Sequence, residues 1–172
     1  MVAIASRFTG SGEDVRFSIR SMSEADARAV AAWHYPDEYA FNDWSADPDD
    51  LADLLDPTGW GQRYLAVDSA GYGLAGFFAF APEGAAVEMG LGLRPDLTGR
   101  GVGLSFVEAG LAYAEQRYGP SDVVLRVPSF NVRAITVYER AGFQAVEKYE
   151  QETNGGLHPF VLMVRTSPHT HR

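Results

Sequence analysis

Val15, Phe17 and Ile19 alternate with polar residues in "VRFSIRSM", the two-residue period of a strand with one buried face, which predicts a first strand from Val15 to Met22. In "SMSEADARAVAAWHY", Ser23 stands three residues before Asp26 and ahead of a run of helix formers. That capping arrangement predicts a helix from about Glu24 to Trp33. A shorter helix is expected in "DPDDLADLLDPTG", opened near Pro48 and stopped by Pro57 and Gly59, with Leu51, Leu54 and Leu55 on one side. "RYLAVDSAGYGLAGFFAFAPEG" is two apolar runs about a turn at Asp68 to Gly71, a hairpin pattern, and "AAVEMGLGLRP" is a fourth strand ended by Pro95.

The period then changes. Leu104, Val107, Leu111, Ala114 and Tyr118 recur at helical spacing up to Gly119-Pro120. "DVVLRVP" is a fifth strand, and "NVRAITVYERAGF" is a helix presenting Ala134, Val137, Tyr138 and Ala141 on one face until Gly142 ends it. "QAVEKYEQET" and "LHPFVLMVR" close the pattern as an antiparallel pair about Gly155-Gly156. The strand–helix–strand passage from Ala86 to Val127 implies a parallel pair, and the hairpins imply antiparallel pairing elsewhere. The expected class is α/β: a mixed, mostly antiparallel seven-stranded sheet with about four helices on its faces.

Composition narrows this picture. At 172 residues and 46% hydrophobic content the chain fits one globular domain, expected over residues 15–166, between a flexible extension at 1–14 and a tail at 167–172. No apolar run reaches the length of a membrane span, and the start lacks a basic region followed by an apolar stretch, so a cytoplasmic protein with no membrane partner is expected. Zero cysteines exclude disulfides, thiolate metal sites and a cysteine nucleophile. A net charge of -9 argues against nucleic acid as a partner, since that affinity depends on clustered Lys and Arg.

The excess charge lies in the first third, where residues 1–60 hold 12 acids against 4 arginines. From Tyr35 to Asp56 there are eight acids, several aromatics and no base. That segment reads either as a solvated helical face or as an acidic lip that attracts a cationic amine, with Asp37, Glu38 and Asp43 the acids to test.

Between the fourth strand and its helix sits "TGRGVG", Thr98 to Gly103, a glycine-rich turn running into a helix N-terminus. The first amides of a helix lack internal partners and sit at the positive end of its dipole, and glycines let a pyrophosphate approach the backbone. Gly99, Arg100, Gly101, Val102, Gly103 and Leu104 therefore form a candidate anion site, though a plain tight connection would use the same glycines. "GYGLAG" at Gly71 to Gly76 matches a dinucleotide fingerprint but leads into a strand, which is the wrong context. The histidines have no metal-ligand spacing, and no metal is expected.

Taken together, Thr98-Gly99-Arg100-Gly101-Val102-Gly103 and the later Asn131, Ala134, Tyr138, Gly142 and Phe143 resemble the GNAT superfamily of acetyl-CoA-dependent N-acetyltransferases. That family's loop runs [QR]-x-x-G-x-[GA], and its later helix carries N-x-x-A-x-x-x-Y-x-x-x-G-F. Thr98 stands where members usually have Gln or Arg. The resemblance implies acetyl-CoA as cosubstrate, with no acyl-enzyme and an amine acceptor, and it leaves room for a homodimer. It also implies that the fourth and fifth strands splay to admit the pantetheine arm along the backbone of Leu91, Gly92 and Leu93. Asn131 would hold that arm from the other side, and Tyr138 would be the acid that protonates the leaving thiolate.

For the base, Glu88 is the acid inside an otherwise apolar strand, where burial would raise its pKa. In Gcn-type histone acetyltransferases the strand's glutamate matches Val87 instead, so a bulge must absorb the offset or Glu88 faces the opposite side. The fifth-strand glutamate of ribosomal-protein alanine acetyltransferases matches Arg126. His158 is a further candidate base.

Overall fold

The computed structural model describes residues 15–168. The elements run β1 (Phe17–Ser21), α1 (Glu24–Ala31), α2 (Pro48–Leu55), β2 (Tyr64–Ser69), β3 (Gly73–Glu83), β4 (Ala86–Leu93), α3 (Gly103–Tyr118), β5 (Asp122–Pro128), α4 (Val132–Arg140), β6 (Gln144–Thr153) and β7 (Gly156–Arg165). The seven strands form one sheet in the order β1-β2-β3-β4-β5-β7-β6, with β4 and β5 parallel and every other neighbouring pair antiparallel. The mixed sheet expected from the period changes is therefore the fold.

Local chemistry explains the ends. Ser23 caps α1 by accepting from the Asp26 N–H while the Asp26 carboxylate accepts from the Ser23 N–H, the reciprocal capping box expected of that pair. Arg20 on β1 donates to both Asp26 and Asp68, which holds the Asp26 carboxyl down at about 2 and ties α1 to the first hairpin. Asp47 caps α2, with Pro48 at its first position.

One face of the sheet packs Phe78, Phe80, Met89, Phe106, Val107 and Met163 beneath α3 and α4. The other packs Met22, Ala27, Val30, Leu54, Tyr64 and Phe77 beneath α1 and α2. In α4, Ala134, Val137, Tyr138 and Ala141 do share the face that meets the first core.

Several boundaries differ from expectation. The helix α1 ends at Ala31 rather than Trp33, because Ala32 already turns out as its C-cap. Leu54 of α2 is fully buried, but Leu55 is 45% exposed: a helix of eight residues buries a narrower stripe than three leucines. β2 runs through Asp68 and Ser69, which pair with Leu74 and Gly73, so that turn begins later than Asp68. The last hairpin turns at Asn154-Gly155, both at positive φ, while Gly156 pairs with Thr153 inside the ladder. Ser167, placed in the tail, is buried and its N–H donates to Asp122. The rest of that tail, 169–172, and the 1–14 extension lie outside the described residues.

Candidate active site

The parallel pairing of β4 and β5 lasts for three residue pairs, Ala86–Asp122 to Glu88–Val124. Beyond them β4 stays paired to β3 and β5 to β7, so the facing edges of Met89–Leu93 and Leu125–Pro128 diverge. The split opens into a cavity of about 610 Å³ that Gly90, Leu91, Gly92, Leu93, Val127 and Asn131 help to line. A β-carbon on Gly92 would collide with the Phe77 ring, so the bare backbone at this edge is required by packing. A strand edge with unspent amides and carbonyls accepts an extended, amide-bearing arm as another strand.

At one end of the split lies the turn before α3. Gly99 and Gly101 sit at φ of 72° and 78°, where a side chain would strain the backbone. The first amide of α3 to bond back is that of Phe106, to Val102 at 3.0 Å, which leaves the amides of Gly103, Leu104 and Ser105 without helical partners. Gly99, Gly101, Gly103 and Leu104 line the cavity, and Arg100 is exposed beside them. The Thr98 hydroxyl is spent within the turn, donating to the Pro95 carbonyl at 2.7 Å. The residues here suit a pyrophosphate, as the loop's composition suggested.

α4 crosses the far side of the split. Asn131 caps it by accepting from the Ala134 N–H, which leaves the side-chain amide hydrogens for the cavity. Tyr138, about two turns on, is half-buried, packs edge-on against Phe143 and lines the cavity. Among the described residues its hydroxyl has no hydrogen-bond partner, and burial pushes its pKa up to about 12. A phenol in that state is protonated at neutral pH and free to donate.

Tyr35, which the sequence pattern did not single out, reaches the same place. Its hydroxyl donates to the Leu93 carbonyl at 2.8 Å, so one of the backbone groups expected to meet the pantetheine arm already has a partner. Burial pushes the Tyr35 hydroxyl well above the usual phenol range, with the Asp43 charge adding to it.

The carboxylates are arranged differently from the expectation. The β3–β4 ladder is regular from Gly76–Leu93 to Glu83–Ala86, so no bulge shifts Glu88, and it faces away from buried Val87 and Met89. Its side chain is 41% exposed and pairs with Arg126 at 3.0 Å, while Arg126 also grips Glu83 with two hydrogen bonds. The buried setting expected of Glu88 is thus not its setting. His158 stacks edge-on with Phe41, its Nε2 buried without a hydrogen-bond partner among the described residues, and it stands outside the cavity lining.

Asp43 is a structural cap: its carboxylate accepts from the Tyr35 N–H and bonds His34 Nδ1, both at 2.8 Å. Asp37 and Glu38 are exposed and do not line the cavity. The acids that do are Asp50 and Asp53 of α2, beside Trp44, Tyr64 and Phe77. Burial pushes the Asp50 carboxyl above its ordinary range, reinforced by Asp47 and Asp53 and opposed by Arg63. The signal for this arm lay in the acidic segment, but only the placement of α2 decides which of its exposed acids border the cavity.

Among the described residues no group of acids and histidines could hold a metal ion, and no helix is long and apolar enough to cross a membrane. The sequence matches the acetyltransferase (GNAT) domain family over residues 16–144. It is 34% identical over 114 residues to a mycothiol acetyltransferase of Saccharopolyspora erythraea, a match that covers 65% of this chain and 36% of that protein's length. Two of the solved structures that share the fold illustrate it. One is a GNAT-family acetyltransferase from Bacillus anthracis, with a TM-score of 0.69 at 17% identity over 96% of this chain and 98% of that one. The other is spermidine N-acetyltransferase from Vibrio cholerae in complex with CoA and spermine, with a TM-score of 0.65 at 19% identity over 86% and 94%.

Proposed function

The chain belongs to the GNAT acetyltransferase family, and on that premise we propose that it moves the acetyl group of acetyl-CoA to a cationic primary amine by direct attack, both substrates sharing one cavity. The observation that carries this is the cavity itself, which joins a glycine turn with free amides to an arm of acids and aromatics through the opened β4–β5 seam. Acetyl-CoA supplies a reactive thioester and a thiolate leaving group. The backbone of Leu91, Gly92 and Leu93 offers the arm a strand edge, and Asn131 faces it from α4. The amides from Gly99 to Leu104 would hold the pyrophosphate, with the exposed Arg100 beside them.

An amine with a pKa near 10.4 is mostly protonated at neutral pH and must lose a proton before or during attack. Asp50 is the carboxylate for that step, because its raised pKa brings it closer to the working pH than an exposed aspartate. The charge of Asp53 and the faces of Trp44, Tyr64 and Phe77 favour a cation in the same arm. Glu88, the base expected from the strand pattern, is the alternative. Its pairing with Arg126 keeps its charge engaged elsewhere.

The two carboxylates separate in a pH profile. A base must be deprotonated, so kcat/KM should fall as pH drops through the raised Asp50 pKa, above the range of an ordinary aspartate. Asp50→Asn is expected to lower kcat/KM by roughly 100-fold and to abolish that acidic limb. Glu88→Gln, and neutralising Asp37 and Glu38 together, should leave the limb in place. An acidic limb that survives in Asp50→Asn and vanishes in Glu88→Gln would give the proton to Glu88.

A further inference from the structure

Phosphate-binding loops of this kind usually carry a cation or an amide side chain where Thr98 stands, and the Thr98 hydroxyl is turned back onto Pro95. Arg100 of the turn is exposed and outside the cavity lining, so a charge within the cavity has to come from elsewhere. On the second residue of α4, Arg133 reaches across to the turn: a terminal guanidinium nitrogen lies 3.9 Å from where a β-carbon on Gly99 would be. The helices are in register for this, since Val137, one turn further along α4, packs on Gly103 at the start of α3.

Among the described residues Arg16, Arg63, Arg100, Arg133 and Arg140 have neither an ion pair nor a hydrogen bond, and of these Arg133 is the one that both lines the cavity and lies against Gly99. Arg20, Arg28, Arg94 and Arg126 each pair with a carboxylate. Among the described residues Arg133 has no carboxylate within 4.0 Å and no hydrogen bond, so all its guanidinium donors are unspent. It is nonetheless held in place, its guanidinium carbon 4.3 Å from the centroid of the Tyr39 ring, and it lines the cavity. Tyr39 is in turn packed on Phe130 at 6.1 Å, the residue that leads into α4. A guanidinium stacked on a ring keeps its edge donors directed outward in a fixed plane, the geometry that suits a phosphate.

We propose that Arg133 is the cation that binds the pyrophosphate of coenzyme A in place of the one absent at position 98, with Tyr39 as the positioning residue that aims it. This rests on the proposed use of acetyl-CoA. The 3₁₀ turn that carries Tyr39, Asp37–Asn42, precedes the α2 arm of the cavity, so the Tyr39–Arg133 stack joins the phosphate end of the site to the wall on the amine side.

Calorimetric binding of coenzyme A to the full chain tests it without turnover. The wild type should bind, and failure to bind would overturn the acetyl-CoA reading itself along with this one. With binding in hand, Arg133→Ala should weaken affinity by roughly 10- to 100-fold, from the loss of charge-assisted hydrogen bonds, with an unchanged melting temperature in the absence of ligand. Adding Thr98→Arg to that variant should restore most of the affinity. The same loss should appear with dephospho-coenzyme A, which keeps the pyrophosphate but lacks the 3′-phosphate. Tyr39→Leu should weaken binding several-fold in the wild type and not at all in Arg133→Ala. Unchanged affinity in Arg133→Ala, or a loss that disappears with dephospho-coenzyme A, would overturn the assignment.

Discussion

Tyr138→Phe is expected to lower kcat by roughly 100- to 10,000-fold, the usual contribution of a positioned general acid. The substitution removes one oxygen and keeps the ring that packs edge-on against Phe143, so the fold should be unaffected. The hydroxyl has no protein partner among the described residues, and no buried acceptor is orphaned by its loss. Binding of the cofactor through the glycine turn should persist as well, and the KM for acetyl-CoA should move by far less than kcat. A residue that only packs α4 against the sheet would instead lower the melting temperature and leave kcat near its original value. The pH profile adds a second check: with a pKa of about 12 the phenol stays protonated through the working range, so no basic limb from Tyr138 should appear below that value. Tyr35 is the nearest rival, and Tyr35→Phe should act differently, by freeing the Leu93 carbonyl at the strand edge.

Phe78→Ala should cost about 3–5 kcal/mol of stability, the range for deleting a buried aromatic side chain. Phe78 is fully buried and lies at the centre of a stack, 4.6 Å from the Phe106 ring at 14° and 5.8 Å from Phe80 at 28°. Gly110 of α3 leaves the room it fills: a β-carbon there would meet the Phe78 ring at 2.5 Å. This stack ties β3 to the helix whose N-terminus forms the anion turn, so its loss should also weaken coenzyme A binding in whatever fraction remains folded. Phe78→Leu, which keeps most of the volume, should cost about 1–1.5 kcal/mol. Urea melts of the three proteins measure both values. A loss under about 1 kcal/mol for the alanine variant would move the centre of the core elsewhere.

Much of this architecture could be read from periods alone, since two-residue and helical spacings mark elements whose one face is buried. The resemblance implied that Asn131 and Tyr138 serve the site, and both line the cavity. What stayed hidden depends on packing between distant segments. The residues from 33 to 47 form short 3₁₀ turns with no sustained period, so nothing in their order says that Tyr35 reaches Leu93 or that Tyr39 lies under Arg133. Glu88 sits beside Arg126 only because the parallel register pairs Glu88 with Val124, and a register between strands separated by a helix is not written in local sequence. Asp50 and Asp53 were two of eight acids in one segment, and the direction of α2 selected them. One signal was available and unused: Asn154-Gly155 is a strong two-residue hairpin dipeptide, and it fixes the β6–β7 turn one residue earlier than the glycine pair suggests.

Direct transfer to an amine is tested most directly by incubating the protein with acetyl-CoA and a panel of primary amines, amino acids and peptides, with products identified by mass and thiol release followed in parallel. The expected result is an acetylated cationic amine, formed in step with free coenzyme A and lost in Tyr138→Phe. Tight coenzyme A binding with no acetylated product across the whole panel would contradict it, and would leave a member of the fold that holds the cofactor without using it.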